Sequence, residues 1–401
     1  MRIGIFTDTY EPQINGVVTS IKMLQHELEK QGHEVFVLTV NDSMFRYDYD
    51  EKIVRVPGLK FKSFDNNILT SIYPVRVFSK IKDWNLDVIH SHTEFGIGTF
   101  ARIYAKQNNI PLVHTYHTVW EDYMHYVTKG HFDKFARTVA KQLTKFYSNR
   151  STELIVPTNK TKILLEKYGV KKRIHVIPTG IDVERFNRKN FTQEEVNKLK
   201  KEFGLSLDDF IVLFVGRLGK EKNIEFVIET MKTIVKENSK IKLVITGKGP
   251  DEEKLKNLVK KLKLENNIIF TGPRKDIHYV YQITDVFVTA SKTETQGLTV
   301  IEAMAARVPV LCYEDDSFKI VLRHGKNGYF FTDKKTLAKQ IIELSENTEK
   351  LEKMAKTAEE DAKEFSAENF ARKVVKVYEL AISNKPEKRR FLFFRRKRNK
   401  K

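Results

Sequence analysis

Two kinds of segment alternate along the chain. Short, continuously apolar runs rich in Val, Ile and Phe recur along the chain, separated by longer stretches with helical spacing. "IGIFTD", "EVFVLTV", "LDVIHSH" and "PLVHTYH" lie before residue 120, "ELIVPT" and "IHVIPTG" follow, and "FIVLFVGR", "IKLVITGKG", "NIIFTG", "DVFVTAS" and "VPVLCYE" complete the series. Between them stand segments such as "VVTSIKMLQHELEKQG", "NIEFVIETMKTIVKEN" and "GLTVIEAMAA". A strand with water on one face alternates apolar and polar residues. These runs do not, so they read as strands of parallel sheets buried under helices on both faces. A chain of 401 residues exceeds what one hydrophobic core organises, and two doubly wound α/β domains are expected. Pro178 and Gly180, in "VIPTGIDVERF" (176–186), interrupt the pattern and put the join there. No self-similarity at the spacing of solenoid or propeller repeats is present.

Composition enters as a test of class. With 41% hydrophobic and 31% charged residues the chain reads as globular, and no apolar run approaches the roughly 20 residues that cross a bilayer. "MRIGIFTDTY" turns polar at Thr7, too early for a secretory signal, so a cytoplasmic location is expected. Cys312 is the only cysteine, which leaves no internal disulfide and no cysteine metal cage. The net charge of +19 is localised. Residues 1–175 carry 25 Lys and Arg against 18 Asp and Glu, and residues 385–401 carry 10 against 1, so only +3 remains for 176–384. Within "KGHFDKFARTVAKQLTKFYSNR" (129–150), Phe132, Phe135, Val139, Leu143 and Phe146 recur at steps of three or four beside Lys134, Arg137 and Lys141. That is a basic amphipathic helix. The tail "NKPEKRRFLFFRRKRNKK" sets Phe391, Leu392, Phe393 and Phe394 between two basic clusters. Phosphates account for its charges but not for its phenylalanines.

In open parallel sheets the ligand sits beyond the carboxyl ends of the strands. In "TDTYEPQINGVVTSI", Gly16 opens a helix where bare amides favour an anion, or simply caps it. G-x-G-x-x-G is absent after this first strand, which argues against a dinucleotide oxidoreductase. "VGRLGKEKNIEFVI" delivers Gly216, Arg217, Lys220 and Lys222 into a loop ahead of a helix. A planar fork and a point charge suit a diphosphate, and a solvated charge cluster is the plainer alternative. "ITGKGPDEEKLKNLV", with Gly247 and Gly249, and "FTGPRKDIHYVY", with Gly272, Pro273 and Arg274, repeat the arrangement. In "ASKTETQGLTVIEAMAARVPVL", Glu294 and Glu302 stand eight residues apart with Gly297 and Leu298 at the entry to a helix. Carboxylates there can accept from ribose or sugar hydroxyls while the amides of "TQGL" hold phosphate. Asp315 and Asp316 of "YEDDSF" would be the acidic pair of a metal site, but nothing else supports one and no metal is expected. "VIHSHTEFGIG" and "PLVHTYHTVWEDYMHYVTKGHF" gather His90, His92, Glu94, His114, His117, Glu121, Asp122 and His125 near two strand ends. His114 and His117, three apart along a strand, would face opposite ways, which argues against joint coordination.

These residues resemble family 4 of the retaining glycosyltransferases, whose GT-B fold sets two Rossmann-like domains across a deep cleft. The likeness is carried by "GRLGKEKN", by "GKGP", and by Glu294 and Glu302 with Ala303, Met304 and Ala305 following, and it spans residues 1–380. Arg307 stands where the family more often has Gly. "TEFG", "HTYHT" and "EDYMHY" are similar to the bacterial diacylglycerol glucosyltransferases that make membrane glucolipids. The resemblance implies an acceptor-binding domain over 1–175 with a helix at about 366–384 packing back on it, a nucleotide-sugar domain over 176–365, and a membrane-associating tail over 385–401. It also implies a UDP-sugar donor, with Arg217 and Lys222 on the diphosphate and Glu302 on the ribose. Glu294 and His117 would lie at the transferred hexose, and Gly16, Gly247, Arg274, Gly297 and Leu298 would line the donor site. No metal or other cofactor is implied.

The activity expected on that basis is retaining transfer of a hexose, taken as glucose, from a UDP-sugar to diacylglycerol. An embedded acceptor gives the 129–150 helix and the tail a purpose, since basic residues meet anionic headgroups and phenylalanines insert. The chain would then be peripheral on the inner face of the cell membrane. An enzyme acting on a glycolipid would share every donor motif, and one with a soluble acceptor would not need residues 129–150 to bind lipid. A non-enzymatic membrane or nucleic-acid binder would use the charges alone, and the chain lacks a base-reading module, so nucleic acid is not an expected partner.

Overall fold

The computed structural model describes residues 1–13, 15–41, 43, 46–60, 68–70, 77–117, 133–292, 294 and 296–385. The tail with Phe391, Phe393 and Phe394, the segment holding Glu121, Asp122 and His125, and the side chains of Lys134, Phe135 and Arg137 lie outside the description.

The amino-terminal strands are β1 (Arg2–Phe6), β2 (Glu34–Val40), β3 (Asp48–Tyr49), β4 (Ile53–Val56), β5 (Gly58–Lys60), β6 (Ile68–Thr70), β7 (Val88–Ser91), β8 (Leu112–Thr115), β9 (Glu153–Val156) and β10 (Ile174–Val176). Eight of them form one sheet in the order β10-β9-β8-β7-β1-β2-β4-β3, parallel but for the short edge strand β3. The second sheet contains β11 (Phe210–Val215), β12 (Ile241–Thr246), β13 (Ile268–Gly272), β14 (Val286–Thr289), β15 (Val310–Tyr313) and β16 (Gly328–Phe331). Its order is β13-β12-β11-β14-β15-β16, parallel throughout. Every residue of β7, β8, β9 and β14 is buried. That is why these runs show no period of two.

Helices cover both faces: α1 (Gly16–Lys30), α2 (Phe78–Lys82), α3 (Gly96–Asn108), α4 (Asp133–Ser148) and α5 (Asn159–Lys167) in the first half. The second half holds α6 (Gln193–Glu202), α7 (Ile224–Glu237), α8 (Glu252–Leu262), α9 (Ile277–Gln282), α10 (Leu298–Ala305), α11 (Lys334–Glu346) and α12 (Thr348–Ala362), and α13 (Ala367–Ser383) follows. In α1, Asn15 caps the helix by accepting from the Val18 amide, and Val18, Ile21, Leu24 and Leu28 face the core at helical spacing. Helix α13 starts at a Ser366 cap beside the bridge between Ser366 and Ile181. It buries Phe370, Val374, Val377 and Tyr378 in the same core as Ile3, Ile5, Val35 and Val88 of the first sheet.

In each sheet the order reverses at its first strand, at β1 between β2 and β7, and at β11 between β12 and β14. Beyond the carboxyl ends of those strands lie the two crevices in which a doubly wound sheet accepts a ligand.

Candidate active site

At the second crevice, the loop after β11 meets the loop after β14. A 3-10 turn over Lys220–Lys222 carries Lys222, whose ammonium donates to Glu294 Oε1. Both side chains are largely covered. The loops are tied further by Ser291 Oγ donating to the Glu221 carbonyl at 3.2 Å. Arg217, two residues beyond β11, is half-buried. Gly297 precedes α10 with φ +77, and a Cβ there would sit 2.7 Å from the Phe318 ring, so both backbone and space demand glycine. Leu298 opens α10 and packs against the core behind it. Glu302, one turn further in, accepts from the Tyr281 hydroxyl at 2.9 Å. Burial pushes its carboxyl above the usual range, with the Tyr281 hydrogen bond opposing. The two glutamates therefore have different partners, a cation for Glu294 and a phenol for Glu302.

Other sequence candidates have local structural partners. The space that a Cβ of Gly247 would take lies 1.9 Å from the Gly216 carbonyl, so glycine here lets two loops abut backbone to backbone. Arg274 is clamped by Asp276 at 2.8 and 2.6 Å and by Glu202 at 2.6 Å, and its guanidinium lies over the Phe203 ring. Asp315 receives the Lys160 ammonium at 2.8 and 2.9 Å, and Asp316 pairs with Lys319. Among the described residues, no group of three or more His, Cys, Asp and Glu is placed to hold a metal. Gln296 of "TQGL" works through its side chain. Its amide accepts from the Thr179 N–H at 2.7 Å and donates to the Thr179 carbonyl at 2.8 Å. Together with Lys160 and Asp315 it joins the two halves. The sequence reading missed both links, because nothing local in a sequence pairs residues more than a hundred positions apart.

At the first crevice, Gly16 starts α1 with open space where a side chain would stand. Asp8, just past β1, caps α3 from outside it: its carboxylate accepts from Thr93 Oγ1 at 2.5 Å and from the Ile97 amide at 2.8 Å, while Phe95 at the helix's own cap position supplies no side-chain bond. Burial lifts the Asp8 carboxyl to about 6 against those hydrogen bonds. An acidic residue directly after an apolar strand was the available signal for it. His90, His92 and His114 are buried. His90 bonds Tyr378 and Thr115, each at 2.7 Å, and His114 Nδ1 donates to the Ser91 carbonyl at 3.0 Å. His117, half-buried beyond the end of β8, meets His92 Nδ1 with its Nε2 at 2.9 Å.

Burial lowers His117 from 6.5 to about 4, with Glu94 pulling up and His114 pushing down. The ring is therefore neutral at physiological pH. The unfolded chain takes up its proton first, so this ring costs stability as pH falls from 6.5 toward 4 and costs none above that window. If transfer needs the neutral ring, kcat/KM should fall with acid only as pH drops to about 4. An acid limb at 6.5 that disappears in His117→Ala would contradict the burial of the ring.

On α4, Ala140, Thr144 and Ser148, four residues apart, are buried, whereas Val139, Leu143 and Phe146 are 40%, 36% and 47% exposed. The helix packs by its small residues and shows its large ones. Lys141 lies over the Tyr168 ring and Arg150 over Phe146. Together with Lys145, Val139, Leu143 and Phe146 line an open groove of about 710 Å³.

Two family models match, Glycosyltransferase Family 4 over residues 14–185 and Glycosyl transferases group 1 over residues 195–361. The chain is 37% identical over 386 residues to the alpha-monoglucosyldiacylglycerol synthase of Acholeplasma laidlawii, covering 94% of this chain and 96% of that one. It is 36% identical over 396 residues to the enzyme of the same name from Streptococcus pneumoniae, with 97% and 88% covered. Among solved structures, HepE of Anabaena in complex with UDP superposes with a TM-score of 0.74 at 18% identity, over 95% of this chain and 100% of that one. Sucrose-phosphate synthase of Thermosynechococcus elongatus gives 0.74 at 18%, over 95% and 99%. The solved structures establish the GT-B fold. Identity above a third over nearly the whole length goes further than fold: this chain belongs to the glycosyltransferases of Family 4 and group 1.

Proposed function

We propose that the chain transfers glucose from UDP-glucose to diacylglycerol, with retention at the anomeric carbon, at an anionic membrane surface. The observation that carries this reading is the near-full-length identity to two alpha-monoglucosyldiacylglycerol synthases, and the chemistry of both crevices agrees with it. Residues 1–175 with α13 form the acceptor domain and 176–365 the donor domain. The diphosphate lies at the loop after β11, where Arg217 and Lys222 take the charge that develops on the leaving group. The Lys222–Glu294 pair divides between the two parts of the donor, Lys222 toward phosphate and Glu294 toward sugar hydroxyls. Glu302 takes the ribose. His117 meets the transferred sugar from the opposite side of the cleft.

The bond from the anomeric carbon to the diphosphate oxygen breaks, and the acceptor oxygen bonds to the same face of the sugar. The acceptor proton passes to the leaving diphosphate, so UDP departs carrying it. Gln296 and Lys160 join the halves, which brings the crevices together and keeps water from competing for the sugar. No described helix is long and apolar enough to cross a membrane. In this reading the exposed stripe of α4 and the tail over 385–401 hold the enzyme to the inner face of the cell membrane.

The direct test is radiolabelled UDP-glucose with phosphatidylglycerol vesicles containing diacylglycerol. One labelled lipid, monoglucosyldiacylglycerol, is expected, at a rate unchanged by EDTA because Arg217 and Lys222 carry the leaving-group charge. Label only in a soluble product would end the lipid reading. Loss of rate on chelation, restored by a divalent ion, would end the assignment of that charge to the two cations. His117→Ala should lower kcat about a hundredfold, the scale of one lost transition-state hydrogen bond, with UDP affinity held. A parallel fall in UDP affinity would place the ring elsewhere.

A further inference from the structure

We infer that His92 is a positioning residue that fixes the tautomer of His117, so that His117 presents a hydrogen on Nδ1 to an oxygen of the bound sugar; this rests on His117 lying at the transferred sugar, as proposed above. The geometry is that of an in-plane N–H···N bond. His92 Nδ1 and His117 Nε2 are 2.9 Å apart, and the rings meet with their planes only 22° apart and centroids 5.2 Å apart. Two five-membered rings so separated touch edge to edge, along the direction in which an imidazole nitrogen holds its lone pair. One nitrogen must donate and the other accept.

The burial of His92 decides which. The side chain is 2% exposed, and its Nε2 is enclosed without a hydrogen-bond partner among the described residues. A hydrogen there would be an orphaned buried donor, which is rarer and costlier than an unused lone pair. The hydrogen of neutral His92 therefore sits on Nδ1 and is donated to His117 Nε2. A neutral ring that accepts at Nε2 carries its own hydrogen at Nδ1. His90 keeps this arrangement from slipping. Its ring lies 4.0 Å from that of His92, centroid to centroid, and is itself held at both nitrogens by Tyr378 and Thr115. His117 so fixed is a hydrogen-bond donor to the sugar and not a base, which agrees with a mechanism in which the leaving diphosphate takes the acceptor proton.

Two nearly isosteric substitutions separate the polarities. His92→Asn keeps an N–H where Nδ1 lies, whereas His92→Asp offers only acceptor oxygens there and draws the His117 hydrogen onto Nε2. Asp is expected to give a kcat at least about tenfold below that of Asn, with equal UDP affinity. In the wild-type chain labelled with 15N-histidine, the His117 signals, assigned by their loss in His117→Ala, should show a protonated Nδ1 and a bare Nε2. A protonated Nε2 overturns the inference, as does equal turnover of the Asn and Asp variants when His117→Ala has lost it. If His117→Ala keeps full turnover, the placement of His117 at the sugar is what fails, and the spectrum still decides the tautomer. Should the Asp variant not fold, the wild-type spectrum decides alone.

Discussion

Replacing Arg217 and Lys222 together by Ala should leave transfer at about a hundredth to a thousandth of the wild-type kcat/KM, the range measured when a donor to developing negative charge is removed. In the proposed reaction the leaving group is a diphosphate, and Arg217 and Lys222 are the cations of the loop after β11 assigned to it. The structure adds a complication that the sequence hid. Lys222 donates to Glu294, so Lys222→Ala also leaves a largely covered carboxylate unneutralised, and that carboxylate would repel a diphosphate whether or not Lys222 ever touched it. Lys222→Ala with Glu294→Gln separates the effects. If the lysine serves the diphosphate directly, neutralising Glu294 recovers little of the lost rate and none of the lost UDP affinity. Recovery of both would mean that Lys222 acts only to quench Glu294.

That complication marks the limit of what was legible. The sheets could be read because burial on both faces removes alternation from a strand, and the parallel runs declared themselves one by one. "GRLGKEKN" and the paired glutamates could be read because loops at strand carboxyl ends carry chemistry and are contiguous in sequence. Which loop faces which is fixed by strand order, and strand order is long-range. Nothing in "KTETQG" says that Gln296 will clasp Thr179, or that Lys160 will reach Asp315. Nor does "ITGKGP" say that Gly247 will make room for the Gly216 carbonyl. Periodicity found the stripe of α4 but could not say which face packs. The missing clue was Ala140, Thr144 and Ser148, small residues at a spacing of four that let a helix lie close.

The stripe leads to the second large effect. Changing Val139, Leu143 and Phe146 together to Ser should weaken binding to phosphatidylglycerol vesicles by roughly a hundredfold, and lower glucosylation of diacylglycerol in those vesicles to match. Full burial of such a side chain is worth about 1.5–3 kcal/mol; these three are partly covered already, which leaves about 3 kcal/mol in total for insertion. The three side chains are more than half covered in the free protein, so the variant should melt a few degrees lower through that lost burial while it binds UDP unchanged. Lys141, Lys145 and Arg150 stay in place, so the surviving weak binding should be the salt-sensitive part, at about 1 kcal/mol for each basic residue near the headgroups. The tail gives the complementary experiment. Deleting 386–401 removes charge along with Phe391, Phe393 and Phe394, and should raise the amount of vesicle needed for half-maximal rate without changing the rate at saturation. The α4 variant should lower the saturating rate too, since the acceptor domain itself no longer docks. If it instead binds vesicles like the parent while the tail deletion abolishes binding, α4 is not the docking face, and the tail alone brings the enzyme to its lipid.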